Sequence, residues 1–359
     1  MIKKEIIGLM SGTSLDGLDI AHVQFGIESN DISYTIQSCV TIPYDSDILD
    51  GLSTIHSMEL SEVQQLDKKI GLFYSAKVNA FIAENKIDKK NIEAIASHGQ
   101  TILHQPENGF TYQIGCGSTL AYHTGIPVIN DFRSLDVISG GQGAPLVPLG
   151  DFDLFRDQAE SYLNIGGFCN ISFKRNEIIT VFDICPGNIP LNYFAQKLNK
   201  AFDRNGELAK SGNLNALLLE QLNSLPYYNL DYPKSLGTEW INSEFYPICN
   251  QDVSPQDYLH TISAHIGEQI ASTLEKYELK TVFVTGGGAK NGFLIEQIRS
   301  RYSGKIILPD TKIIDFKEAI IFAYLGLRYV LNQSNNVPSV TGAEQELCTG
   351  VYHKPGYSV

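Results

Sequence analysis

Apolar residues along the first 42 positions arrive in three bursts. Ile6-Ile7-Gly8-Leu9-Met10 is a continuous greasy run that breaks at Ser11-Gly12-Thr13-Ser14-Leu15-Asp16-Gly17 and resumes as Leu18-Asp19-Ile20-Ala21-His22-Val23-Gln24-Phe25. Ser33 to Ile42 then alternates as a half-buried strand does. The pattern predicts strand, tight turn, strand, strand. Next the period lengthens. Val63, Leu66, Ile70, Phe73, Ala76, Val78 and Phe81 keep helical spacing as far as Glu84, with Ser61-Glu62-Val63-Gln64 reading as a capping box at the start. Ile92 to Ala96 predicts a short buried strand that ends in Ser97-His98-Gly99-Gln100-Thr101. Tyr112 to Gly115, a helix from Ser118 and a strand from Pro127 to Asn130 close a first α/β half.

From Ser161 the opening pattern returns. Tyr162-Leu163-Asn164-Ile165, the turn Gly166-Gly167, Asn170 to Phe173 and Ile178 to Phe182 repeat the three-strand meander, which predicts an internal duplication. Helices follow over Leu191 to Phe202, Leu214 to Leu225 and a long segment opened by Ser254-Pro255. His265 in that segment sits among apolar neighbours and reads as a core residue. Lys280 to Thr285 is a buried strand that runs into Gly286-Gly287-Gly288, and a strand Ile306 to Leu308 and a helix Phe316 to Val330 come last. At 359 residues the chain exceeds what one core usually serves, so two duplicated α/β domains with a cleft between them are expected. The expected division is 1–130 and 131–344, with 345–359 returning to the first domain.

Several stretches carry candidate chemistry. The turn from Gly12 to Asp19 can gather backbone N–H groups and the Thr13 and Ser14 hydroxyls around an anion, with Asp16 and Asp19 placed to hold a phosphate-bridging metal; it reads equally as an ordinary hairpin turn. Ser97 to Thr101 puts polar residues at a strand's carboxyl end, where open α/β sheets keep ligands. There His98 is either catalytic or a hydrogen-bonding positioner. Arg133 can fork onto a carboxylate or phosphate, or pair with Asp131 or Asp136. The glycine-rich Gly140 to Pro145 reads as site floor or hinge. Asp183, ending the third strand of the second meander before Pro186-Gly187-Asn188, is a candidate general base, or else a cap of the next turn. Three glycines at 286–288 allow close approach of a flat or phosphorylated ligand.

Composition narrows the class. With 43% hydrophobic and 19% charged residues and no apolar run near the roughly 18 residues of a membrane span, the chain is expected to be an ordinary globular protein. A net charge of −13 without basic clusters argues against nucleic acid or anionic membranes as partners. Six cysteines without paired spacing argue against disulfides and zinc. Lys3-Lys4 leads straight into the first strand with no signal-peptide pattern, so a cytoplasmic location is expected.

Taken together, Met10-Ser11-Gly12-Thr13-Ser14-x-Asp16-Gly17, Ser97-His98-Gly99-Gln100-Thr101, Asp131-Phe132-Arg133, Gly140-Gly141-Gln142-Gly143-Ala144-Pro145, Asn164-Ile165-Gly166-Gly167, Pro186-Gly187-Asn188 and Thr285-Gly286-Gly287-Gly288 resemble, in this order, the motifs of anhydro-N-acetylmuramic acid kinases. The resemblance implies two ribonuclease-H-like domains of the actin, Hsp70 and sugar-kinase superfamily closing around ATP and Mg²⁺. It implies that Gly12, Thr13, Ser14, Leu15, Asp16, Gly17, Leu18 and Asp19 form the first phosphate loop, with Asp16 and Asp19 toward the metal. Asn164, Gly166 and Gly167 would lie by the second loop, Gly286, Gly287 and Gly288 would border the nucleotide, and Asp183 would be the catalytic carboxylate. Gln100, Arg133 and Glu318 would lie on the side of an anhydro amino sugar. A homodimer is the assembly left open. The implied reaction opens the 1,6-anhydro ring with water and phosphorylates O6, giving N-acetylmuramic acid 6-phosphate for peptidoglycan recycling. One departure stands out: many relatives read Asp-Thr-Gly-Pro-Gly-Asn, and here Ile184-Cys185 replace Thr-Gly. Two rivals remain, a nucleotide-driven conformational protein of the same fold and a glycosidase using Asp183 with Glu318.

Overall fold

The computed structural model describes residues 2–12, 15, 17–29, 31–250 and 252–356, which form two compact units, 1–155 with 316–359 and 156–315. In the first unit β1 (Ile2–Met10), β2 (Leu18–Glu28) and β3 (Asp31–Ile42) make an antiparallel meander. After the helix Leu60–Glu84 the chain returns as β4 (Ile92–Ser97), parallel to β1. β5 (Gln100–Gln105) and β6 (Phe110–Ile114) form a separate two-stranded ribbon, and β7 (Val128–Asn130) lies parallel to β4. Both faces of this sheet are covered, which is why β1 reads as a continuous apolar run and not as an alternation. Ile7 and Leu9 pack into the core shared with the helix Leu60–Glu84. On the opposite face the helix Thr311–Val330 lies so close that a β-carbon at Gly8 would sit 1.9 Å from the Ala319 carbonyl oxygen.

The second unit repeats the plan. β8 (Ser161–Ile165), β9 (Phe168–Arg175) and β10 (Ile178–Pro186) are an antiparallel meander, β11 (Thr281–Thr285) runs parallel to β8, and β12 (Lys305–Ile307) runs parallel to β11. The orders β7-β4-β1-β2-β3 and β12-β11-β8-β9-β10 are therefore the same arrangement twice, which is the duplication expected from the repeated meander and agrees with the ribonuclease-H-like domains that the resemblance implies. The first sheet adds one strand, β13 (Val351–His353), antiparallel to β7. Between β10 and β11 the helix Pro255–Lys276 is opened by Ser254, whose hydroxyl accepts from the Asp257 N–H at 3.1 Å, as its Ser-Pro start predicts. His265 is buried on this helix between Tyr228 and Asn223, a core residue as expected.

Three local expectations need correction. The helix expected from Ser61 starts at Leu60, and its N-terminal bond runs from the Glu59 N–H to the Glu62 carboxylate at 2.8 Å, so Glu59 and not Ser61 is the capping residue. The division expected after residue 130 falls at 155/156, and residues 316–344 belong with the first unit. The reason is packing: the rings of Phe132 and His98 pack at a tilt against Phe322, and Gly326 lies against Ala96, so these segments complete the core of the first sheet.

The third concerns the glycine-rich segment. The helix Ser134–Ile138 precedes it, and the loop is pinned where a hinge was one expected reading. Fully buried Asp136 accepts from the Gly143 N–H at 2.8 Å, the Asn336 amide at 2.9 Å and the Thr341 hydroxyl at 2.8 Å, while the Gln142 N–H donates to the Thr341 carbonyl at 2.7 Å. Asp136→Ala should leave these buried donors short of an acceptor and lower unfolding stability by roughly 3 kcal/mol. Urea denaturation checks this, and a loss below about 1 kcal/mol, the net worth of one ordinary hydrogen bond, would show that the loop is not held this way.

Candidate active site

In the second unit, the carboxyl ends of β8, β10 and β11 converge. The Gly166-Gly167 turn is seated on the segment that ends β10: the Gly187 N–H donates to the Gly167 carbonyl and the Asn188 N–H to the Gly166 carbonyl, each at 2.8 Å. A β-carbon at Gly187 would lie 2.5 Å from the Gly166 oxygen, so no other residue fits there. Asn188 also donates its side-chain amide to the Ile165 carbonyl at 3.3 Å. From β11, Gly288 presses on β8 so tightly that a β-carbon would meet the Ile165 side chain at 2.1 Å, and Gly286 has φ of 83° with Asn164 and Ile165 directly beside it. Gly287 differs. It is exposed, and a β-carbon there would meet only the Asn188 amide, at 3.6 Å. Gly286 and Gly288 are thus glycines for packing reasons, and Gly287 alone presents bare backbone to open space.

Asp183 does not end its strand as expected: β10 runs on past it to Pro186, and Asp183 is paired with Asn170 of β9. Its carbonyl accepts from the Tyr227 hydroxyl at 2.7 Å, its N–H donates to the Lys234 carbonyl at 3.2 Å, and its carboxylate Oδ2 accepts from the Leu236 N–H at 2.9 Å. Burial pushes the carboxyl above its usual range, and the Leu236 bond only partly opposes that. The side chain is therefore fixed through one oxygen and held as a stronger base than an exposed aspartate. Tyr227, Lys234 and Leu236 escape a sequence reading because their stretch has no periodicity; its cluster of Pro226, Tyr227, Tyr228, Tyr232 and Pro233 was the available signal. Ile184 and Cys185, the departure from the expected motif, fall in a bulge of β10 where the register shifts between Asp183 and Cys185.

In the first unit Thr13, Ser14 and Asp16 lie outside the described residues. Around them, the Leu15 N–H donates to the Gly12 carbonyl at 3.3 Å, and Gly17 lies against the Ile42 carbonyl. Leu18 is a correction: its side chain is fully buried in the core, so only its backbone is left for a ligand. Asp19 is half-buried and accepts a short hydrogen bond from the Thr41 hydroxyl. Gln100 is 2% exposed and donates to the Gly12 carbonyl at 3.2 Å, which makes it a brace of the first turn and not a group open to a sugar. The Ser11 hydroxyl donates to the Gly99 carbonyl at 2.8 Å and so accepts from buried Tyr74, also at 2.8 Å. Arg133 pairs with neither Asp131 nor Asp136 by direct contact. Its guanidinium donates to the Gly143 carbonyl at 2.6 Å and to Nε2 of His98. Glu318, on the helix Thr311–Val330, has its carboxyl raised by burial against the opposing pull of Lys317 and Arg133.

The sequence profile of anhydro-N-acetylmuramic acid kinases matches residues 4–355. Relatives of that name are 39% identical over 372 residues in Shewanella oneidensis, covering 98% of each chain, and 34% identical over 377 residues in Actinobacillus pleuropneumoniae, covering 98% of this chain and all of the relative. The Shewanella denitrificans relative is 38% identical over 364 residues and 96% of each chain. The chain belongs to the anhydro-N-acetylmuramic acid kinase family. It is an enzyme, a kinase that uses ATP, and among the described residues no helix is long and apolar enough to cross a membrane.

The raised carboxyl of Asp183 has a consequence for the stability of this kinase. A group that binds its proton more tightly in the folded than in the unfolded state favours folding less and less as pH rises through its folded pKa. Asp183→Asn keeps an acceptor for the Leu236 N–H and carries no charge. The variant should therefore match or exceed the parent in Tm near neutral pH, and the gap should narrow as pH falls to about 4, the ordinary aspartate value. A gap that widens on acidification would show that the site stabilises the charged form.

Proposed function

We propose that this kinase phosphorylates O6 of 1,6-anhydro-N-acetylmuramic acid with ATP while water opens the anhydro bridge at C1, giving N-acetylmuramic acid 6-phosphate and ADP. The observation that carries the reading is Asp183, a carboxylate tethered through Oδ2 by the Leu236 N–H beside two glycine turns and made more basic by burial. In an ordinary sugar kinase such a base takes the proton of the attacking hydroxyl. The anhydro sugar has no proton at O6, which is an ether oxygen to C1. Asp183 instead takes a proton from water as its oxygen bonds to C1. The C1–O6 bond breaks, O6 takes the γ-phosphoryl group, and ADP leaves. Backbone N–H groups of the Gly12 to Asp19 stretch and of the Gly166-Gly167 turn are the proposed donors to the phosphates.

Mg²⁺ fits the hard oxygen donors of Asp16 and Asp19, because this ion is commonly held by one or two carboxylates together with substrate phosphates. When bound it would offset charge on the transferring phosphoryl group. Arg133 and Glu318 are proposed for the sugar side. ATP as phosphoryl donor favours a cytoplasmic location, and the product belongs to the recycling of cell-wall amino sugars.

Turnover in ¹⁸O-water tests the chemistry. The label should enter the anomeric oxygen and the transferred phosphate should stay unlabelled. The first product should be the α-anomer, since the bridge oxygen holds the β face and an in-line water arrives opposite to it. Label in phosphate would mean simple ATP hydrolysis, and label at C1 with no ADP formed would mean a glycosidase. Asp183→Asn should lower turnover by about two orders of magnitude or more, the usual contribution of a general base, with ATP still bound. Gly287→Val tests the nucleotide side: its β-carbon has room in the fold, so the variant should fold but raise the KM for ATP well above any change in the sugar KM. Equal changes in both would remove Gly287 from the nucleotide site.

A further inference from the structure

The proposed chemistry leaves His98 unused, although it is only 6% exposed at the end of β4. Arg133 decides between acid–base group and positioner. A guanidinium has five N–H donors and no lone pair to offer. Its Nε, at 3.2 Å, and a terminal nitrogen, at 2.9 Å, both converge on His98 Nε2, so Nε2 must carry the ring's lone pair. The other ring nitrogen, Nδ1, lies 3.2 Å from the Ser11 carbonyl oxygen, which can only accept. The ring proton is therefore on Nδ1. Both nitrogens are committed, and burial together with the adjacent Arg133 charge holds the imidazole's pKa down to about 3. Such a ring has no proton to exchange with a substrate.

Around this pair the geometry is closed on several sides. Phe322 packs on the imidazole with ring centroids 4.8 Å apart, and Glu318, one helical turn before it, acts on the Arg133 charge. With the second terminal nitrogen bonded to Gly143, three of the five Arg133 N–H groups are taken, which leaves one on each terminal nitrogen for an anionic ligand group.

We propose that His98 is a positioning residue for this kinase: as the neutral Nδ1–H tautomer it fastens the Arg133 guanidinium to the Ser11 carbonyl beside the first glycine turn, tying the cation of the sugar side to the phosphate loop. This rests on the reading that Arg133 faces the sugar. Arg133 without His98 would keep its charge and its bond to Gly143 but lose the restraint on its remaining donors. A loss of that kind weakens binding of the anion on Arg133 and spares the adenosine end of ATP.

Two measurements test it. In ¹⁵N-labelled enzyme at neutral pH, His98 should show a pyrrole-type Nδ1 and a pyridine-type Nε2, and the Nε2 signal should shift in Arg133→Lys. His98→Phe keeps a ring against Phe322 but neither accepts nor donates; it should raise the sugar KM about tenfold, the scale of one charge-assisted hydrogen bond, with the ATP KM changed less than about twofold. His98→Gln, whose amide oxygen still accepts from Arg133, should recover most of that loss, and the effects of His98→Phe and Arg133→Lys should not add. The reversed tautomer or an imidazolium would overturn the proposal even where a variant fails to fold. So would a sugar KM that responds to Arg133→Lys but not to His98→Phe, or equal rises in both KM values. A sugar KM indifferent to Arg133→Lys would instead sink the reading of Arg133, while the ¹⁵N spectrum still decides the tautomer.

Discussion

Backbone must approach backbone more closely than a β-carbon permits at the carboxyl ends of β8, β10 and β11, and the geometry around Asp183 depends on it. Gly187 lets the end of β10 donate into both carbonyls of the Gly166-Gly167 turn, and Gly288 lets β11 close on Ile165. With either spacing lost, the turn would lift from its seat and the strand that carries Asp183 would move with it. Catalysis that relies on placement gains from this kind of constraint, because a base misplaced by an ångström loses much of its value. The glycines that look like ligand-binding signals in the sequence thus act first on packing, and the open backbone at Gly287 is what that packing exposes.

The first unit meets the same need by a different route. There polar side chains brace the turn from behind: Gln100 holds the Gly12 carbonyl, Tyr74 and Gly99 hold the Ser11 hydroxyl, and His98 holds the Ser11 carbonyl. All are buried or nearly so, and buried polar groups that are fully bonded define one arrangement because every alternative leaves a donor or acceptor unpaired. Asp136 does for the Gly141–Gly143 loop what these residues do for the turn.

Much of this was legible in the sequence, and the limits are physical. The duplicated meander shows in local periodicity, so both three-strand meanders could be read directly, whereas the end of β10 at Pro186, beyond Asp183, could not. The unit boundary could not. The helix Thr311–Val330 is apolar enough to pack on many partners, and nothing local says that Gly8, Ala96 and Phe132 are the ones it meets. Likewise Arg133 beside Asp131 and Asp136 looks like an ion pair in sequence, whereas in space Asp136 is consumed by backbone and side-chain donors and Arg133 turns to His98. Leu236, which fixes Asp183 through its N–H, carries no side-chain signal at all.

The Ile184-Cys185 pair, where the resemblance leads one to expect Thr-Gly, sits in the bulge that follows Asp183. Asp183 pairs with Asn170 and Cys185 with Cys169, so Ile184 is the extra residue of the bulge. Its side chain is 2% exposed and that of Cys185 is fully buried, and both belong to the core of the second unit together with Cys169. Burial also pushes the Cys185 thiol well up, which keeps it protonated and unreactive. The pair therefore fills the core, while the bulge absorbs the register change before Pro186. Asp183 is held from its other side, by Tyr227, Lys234 and Leu236, none of which touches the exchanged pair through the bonds that fix it. The anchorage of the carboxylate thus comes from that separate segment and not from the two residues that follow it in β10, whose side chains serve the packing beneath them.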